Sequence, residues 1–283
     1  MKINQSFRYA LLLTAYVSLF ACKKNDSKPK PISEPITFSE SIVGKWKIGS
    51  GASLGRNMNA HHISPKVQEK AQLISVEFFK DSSYIVLLND NTAFTGKYGI
   101  IDSTTINIYG IGDFKDIKIE GEKMNFKLST ESGFIIITAN KAAEIPSSSE
   151  TNKICKNWKL LPGTGGRASY NFSTGEGTRA DIRFSSSGTY MLTVYYNDSL
   201  AYIRTAEWKW HPALSDTYQY SWGNGTLTDN RPVTIKALAD NSLKLEETYY
   251  DYQFYNYAVD GTLEGYGDST LTTRIYDLVP SEY

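Results

Sequence analysis

At 283 residues the chain is about twice a common domain of roughly 100–150 residues, so two compact units are expected. Thirty basic residues balance thirty acidic ones, and a formal charge of zero argues against an electrostatic grip on nucleic acid. A 41% hydrophobic content excludes wholesale disorder, and the two cysteines, Cys22 and Cys155, exclude a disulfide scaffold or a zinc site of several thiolates.

In chain order the first element is a leader. Lys2 and Arg8 precede the apolar run Tyr9–Ala21, thirteen residues long and short of the roughly 20 that span a bilayer as a helix. Residues 1–21 therefore read as a secretory signal peptide. The end of the run, Leu19-Phe20-Ala21-Cys22, resembles a bacterial lipobox, with Leu three residues before the cysteine and a small residue directly before it. Phe20 stands where a small residue is commoner. The resemblance implies that Cys22 is diacylated, begins the mature chain and makes the membrane a partner through its acyl chains. Residues 22–40 are polar and proline-rich, and such a segment buries too little surface to fold, so they form a flexible tether. Lys23, directly after the cysteine, resembles lipoproteins sent on to the outer membrane, on either its periplasmic or its surface side.

The rest of the chain repeats itself. Gly44-Lys-Trp46-Lys-Ile48 returns 112 residues later as Lys156-Asn-Trp158-Lys-Leu160. Val76-Glu-Phe78 with Tyr84 returns as Ile182-Arg-Phe184 with Tyr190. Gly96-Lys97-Tyr98 lines up with Trp208-Lys209-Trp210, Thr105–Ile108 with Thr217–Tyr220, and Lys123–Leu128 with Ser242–Leu245. The kept order points to an internal duplication, with domains over 41–145 and 152–283 and a joint at Glu144–Thr151.

Strands are expected near 42–48, 73–80, 83–89, 92–100, 104–109, 115–120, 123–129 and 133–139 in the first copy. In the second they fall near 155–161, 179–185, 189–197, 201–211, 216–222, 232–237, 242–257 and 269–278. Period-two alternation puts Ile106 with Ile108, and Met124 with Phe126 and Leu128, on single faces. Turn residues such as Lys80-Asp-Ser-Ser83 and Gly121-Glu122 separate the runs, which favours an antiparallel meander. Ser64–Gln72 breaks the pattern: serine as N-cap and Pro65 in the first helical position predict a short helix.

Trp46 and Trp158, each followed by a Phe and then a Tyr six residues on, resemble the tandem lipocalin-like domains of Bacteroidetes lipoproteins. The Gly-x-Trp signature is intact only at Gly44. The resemblance implies an all-β chain of two tandem, eight-stranded antiparallel meander barrels, each filled by side chains or holding one small ligand.

Residues for catalysis are sparse. His61 and His62 are adjacent, so on an extended chain they point apart and form no metal site; His211, before Pro212, reads as a turn residue. Cys155 reads as a small buried hydrophobe. The acids Glu176, Asp181, Glu246 and Glu247 are scattered and give no recognisable glycosidase pair. No cofactor motif is present, since Gly163-Thr-Gly-Gly lacks the lysine of a phosphate loop.

Aromatic residues are concentrated beyond residue 150, with fifteen of twenty tyrosines and four of five tryptophans there, so the copies have diverged. Alternation sets Tyr250, Tyr252 and Phe254 on one face of a strand, and Trp208 and Trp210 add flat surface. Such rings stack on sugars or line an apolar cavity. Function is thus read as non-catalytic: an envelope lipoprotein whose second domain binds a small apolar or glycan ligand, or an envelope protein partner, through Trp208, Trp210, Tyr250, Tyr252 and Phe254. The alternatives are a structural or accessory subunit of an outer-membrane complex with filled barrels, and a hydrolase of unrecognised type.

Overall fold

The computed structural model describes residues 37–53, 72–130, 133–161, 178–222, 232–252, 255–257, 263–266 and 269–281. After a short helix α1 (Phe38–Ser41), eight strands follow: β1 (Gly44–Ser53), β2 (Gln72–Phe78), β3 (Ser83–Leu88), β4 (Ala93–Asp102), β5 (Thr105–Ile108), β6 (Gly112–Glu120), β7 (Lys123–Thr130) and β8 (Gly133–Lys141). Each pairs antiparallel with the next, and β8 closes on β1, so the first copy is a closed barrel.

Helix α2 (Ser149–Ile154) opens the second copy, followed by β9 (Asn157–Leu160), β10 (Thr178–Phe184), β11 (Thr189–Tyr196), β12 (Ser199–Trp210), β13 (Thr217–Trp222), β14 (Pro232–Ala239) and β15 (Ser242–Tyr252). A small hairpin of β16 (Tyr255–Tyr257) and β17 (Leu263–Tyr266) precedes β18 (Ser269–Pro280), which pairs with β15 and β9 to close a second eight-stranded barrel. The two tandem antiparallel barrels expected from the sequence are therefore present.

Local expectations are corrected at two places, and a third stretch gains a helix. Gln72 opens β2 instead of ending a helix, while residues 64–71 lie outside the described residues. The strand expected over 242–257 stops at Tyr252, and Tyr255–Tyr257 pairs with β17 instead. The stretch expected as a domain joint ends in α2, because Ser148 is a good N-cap: its hydroxyl accepts the Thr151 N–H at 3.0 Å.

Inward-facing residues fill both barrels. Phe114 stacks on Phe126 at 4.3 Å and Phe78 meets Tyr98 edge-on at 5.1 Å in the first. In the second, Phe184 is met edge-on by Tyr190, Trp208 and Tyr218 at 5.1 to 5.2 Å. Each such ring, once buried, contributes about 1.5–3 kcal/mol of hydrophobic stabilisation. The repeated tryptophans tie each lead-in to its core: Trp46 Nε1 donates to the Ile42 carbonyl at 2.8 Å, and Trp158 Nε1 to the Ile154 carbonyl at 2.9 Å.

Strand register shows which residues correspond. Tyr84 pairs with Gly96 and Tyr190 with Ala206, which makes Tyr98 the counterpart of Trp208. The constant offset of 112 had matched Tyr98 with Trp210, two residues too far. The hydrogen bonds agree with the corrected match: Tyr98 Oη donates to the Phe79 carbonyl at 3.0 Å, and Trp208 Nε1 to the corresponding Ser185 carbonyl at 3.0 Å.

The two barrels meet along the same face of each copy. In β2, β3, β10 and β11 the outward residues Ser75, Glu77, Ile85, Asp181, Thr189, Met191 and Thr193 are buried, although their neighbours already fill the interiors. Arg183, the counterpart of Glu77, crosses this seam: its guanidinium lies over the Phe79 ring at 3.4 Å, bonds Ser83 Oγ at 2.8 Å and reaches Asp81 at 3.3 Å. Further along, Glu207 of β12 receives Lys47 at 2.9 Å and Lys45 at 3.6 Å.

Candidate binding site in the second barrel

The inner ladder of β15 and β18 carries the main difference between the copies. Register sets Leu243 against Leu278, Leu245 against Tyr276 and Glu247 against Arg274. The same ladder in the first barrel reads Met124 with Ala139, Phe126 with Ile137 and Leu128 with Ile135. An acid and a base thus stand where the first barrel packs leucine on isoleucine.

These groups are held in a network. The Tyr220 hydroxyl donates to a Glu247 carboxylate oxygen, and Tyr276 hydrogen-bonds with both Glu247 and Arg274. Tyr190 stacks on Tyr220 at 5.2 Å. Burial pushes the Tyr276 phenol up to about 12, with the Glu247 charge acting in the same direction. Burial likewise raises Tyr190 and Tyr218 well above their ordinary value. All three phenols stay protonated at neutral pH, so the cluster offers donors as well as acceptors. Arg274 is 7% exposed, whereas Glu247 and Tyr276 are only partly buried, which leaves the network within reach of solvent. A carboxylate, a guanidinium and phenols set among aromatic walls suit the orientation of a polar ligand.

A second concavity adjoins α2. Trp210, Leu214, Ile235 and Leu238 supply apolar wall and Glu150 and Lys236 supply charge in a cleft of about 520 Å³. That volume falls within the roughly 300–1,000 Å³ of small-ligand sites. The Trp210 indole N–H is fixed by Thr151 Oγ1 at 2.9 Å.

The structure places the described strand positions of the aromatic set in different parts of the second barrel. Trp208 is 2% exposed and packs edge-on against Phe184 and Trp210. Trp210 borders the α2 cleft. Tyr250 and Tyr252 stand three places away in the barrel, on β15, opposite Leu271 and Ser269 of β18. Phe254 and Cys22 lie outside the described residues, as do His61 and His62. His211 Nδ1 accepts the backbone N–H groups of Ala213 and Leu214 at 3.1 and 3.0 Å and so shapes the turn before β13. Cys155 is partly buried, and burial, followed by the charges of Glu77 and Glu144, pushes its thiol up to about 12. Among the described residues no group of three or more His, Cys, Asp or Glu could hold a metal ion, and no helix is long and apolar enough to cross a membrane.

From the sequence Glu247 is named only among scattered acids, and Arg274 is not named. The signal was present: Leu243-x-Leu245-x-Glu247 and Arg274-x-Tyr276-x-Leu278 each set a charge on the apolar side of an alternating strand.

No family model matches the chain, and no curated protein matches it. Among solved structures, the crystal structure of the isotype 1 transferrin binding protein B from serogroup B Neisseria meningitidis is similar at 13% identity and a TM-score of 0.23. The match covers 84% of this chain and 57% of that one, so the chain spans little more than half of its length. A likeness of that size supports no statement about what this chain binds.

Proposed function

We propose that the protein is an envelope lipoprotein, held at the outer membrane by an acylated Cys22, whose second barrel binds a small ligand without transforming it. The observation that carries this reading is the exchange of Leu128 and Ile135 in one barrel for Glu247 and Arg274 in the other. The first barrel demonstrates that the fold closes with apolar residues at these places. A partly buried acid and a buried base contribute little to stability compared with such residues, so their presence favours recognition as the reason. Of the two ligand classes expected from the sequence, the hydrogen-bonding network favours a glycan over a purely apolar molecule. Trp210, Tyr250, Tyr252 and Phe254 remain proposed as aromatic contacts outside the network.

A second reading, docking of an envelope protein, is favoured by one observation. Leu271 and Ile275 on the outer side of β18 are 62% and 43% exposed, and Tyr250 is in register beside Leu271.

Both readings are tested by purifying the protein from its native membrane and identifying co-purifying molecules by mass spectrometry. A bound saccharide that is lost in Glu247→Gln supports the first. A stoichiometric protein lost in Leu271→Asp, with no small molecule, supports the second. Neither outcome in repeated preparations sinks the binding reading. Cys22→Ala is expected to move the protein from the membrane to the soluble fraction; unchanged fractionation removes the anchor.

A further inference from the structure

The seam between the barrels encloses a small pocket of about 20 Å³. Lys45, Ser75 and Glu77 of the first barrel form one wall, and Thr189 and Thr205 of the second form the other. Glu77 Oε2, Thr189 Oγ1 and Thr205 Oγ1 are buried there without a hydrogen-bond partner among the described residues. Their residues are 3%, 4% and 6% exposed. Buried polar oxygens are nearly always satisfied, so three orphans around one pocket require a common partner.

Size and charge identify that partner. A water molecule needs about 10–15 Å³ of this kind of space and two to four polar neighbours, and the pocket supplies both. A metal cation is a poor fit. Lys45 stands opposite Glu77 in the β1–β2 ladder and its ammonium shares the wall, so a positive charge is already in place. Counted locally, Lys45 and Lys47 balance Glu77 and Glu207. We propose that the pocket is the binding site of one ordered water, which donates to Glu77 Oε2 and one threonine hydroxyl and accepts from the other. That water completes the seam and joins residues of both barrels through a single molecule.

Valine replacements in the full chain test the site, because valine has nearly the shape of threonine without its hydroxyl. With a water in place, Thr205→Val and Thr189→Val each lower the melting temperature, by about 2–4 °C for a chain of this size. The double variant loses less than the sum of the two, since both hydroxyls hold the same molecule. A high-resolution crystal structure is expected to place one density peak within about 2.6–3.2 Å of the three oxygens. Three results overturn the proposal. The first is a melting temperature raised by either valine, which marks a dry pocket with hydroxyls better removed. The second is a pocket without density. The third is a melting temperature that depends on sodium against choline at equal ionic strength, with contacts shorter than hydrogen bonds, which marks a cation.

Discussion

Ser82 and Gly188 occupy one place in the two copies, each four residues beyond the core phenylalanine, and both adopt left-handed backbone, with φ of 59° and 79°. Their turns also bond alike: the Ser82 carbonyl accepts from the Tyr98 N–H at 2.8 Å and the Gly188 carbonyl from the Trp208 N–H at 2.9 Å. Glycine takes this conformation freely and serine does not. Relief of the left-handed penalty, about 1–2 kcal/mol, exceeds the cost of glycine's greater unfolded freedom, about 0.5–1 kcal/mol, so Ser82→Gly is expected to stabilise the protein by about 0.5–1 kcal/mol net. Gly188→Ala is expected to destabilise it by more, because a Cβ there would also come within 3.3 Å of the Trp208 carbonyl oxygen. Chemical denaturation of both variants checks the signs.

The Glu247–Arg274 exchange separates binding from stability. Glu247→Leu alone leaves the buried Arg274 guanidinium and the Tyr220 hydroxyl without their nearby acid and is expected to cost about 1–3 kcal/mol. The double variant Glu247→Leu, Arg274→Ile restores the pair found in the first barrel. It is expected to be as stable as the natural protein or up to about 4 kcal/mol more so, while ligand binding is lost. Denaturant unfolding gives the first quantity and titration of the isolated ligand the second. Retained affinity in a stable double variant removes the network from the site.

Acid is expected to weaken the seam. Burial opposes ionisation of Asp81, but two Ser83 hydrogen bonds and Arg183 outweigh it and hold its carboxyl below the ordinary value of 3.8. Burial is likewise outweighed at Glu207 by Lys47 and Lys45, which hold it below 4.5. A carboxyl depressed by folding stabilises the native state above its unfolded value and loses that contribution as pH falls through the folded one. Asp181 has the opposite sign, since burial raises it and its protonation favours the fold. Melting temperatures between about pH 6 and pH 3 should therefore fall, and Asp81→Asn with Glu207→Gln should flatten the slope. An unchanged slope in the double variant contradicts this assignment.

Cys155 is expected to be inert in the native state. With its thiol pushed up to about 12, the thiolate fraction at pH 8 is small and alkylation is slow. A chromogenic disulfide reagent should label it only after denaturant is added. Labelling within minutes under native conditions would contradict the assignment.

Much of the architecture was legible because strands and turns are local. Ile106 with Ile108, or Met124 with Phe126 and Leu128, announce a buried face in a few residues, and the repeated Trp, Phe and Tyr announce two copies. The seam was not, because it depends on contacts such as Arg183 with Asp81, which lie 102 residues apart in the chain. A trace of it exists in Tyr84–Leu88 and Tyr190–Val194, where alternation fails because both strand faces are buried. The burial of Trp208 was hidden for a related reason. Trp208 looks like available flat surface in a sequence, but the corrected register gives it the role of Tyr98, a core residue bonded to a turn carbonyl.

Because like strands of each copy meet at the seam, a single barrel carrying that face alone would be self-complementary. Joined in one chain, the two faces meet in a folding step at an effective concentration no free subunit reaches. Covalent linkage also frees the halves from symmetry. One position can therefore be Glu77 on one side and Arg183 on the other, and one interior can stay greasy while its twin carries charge.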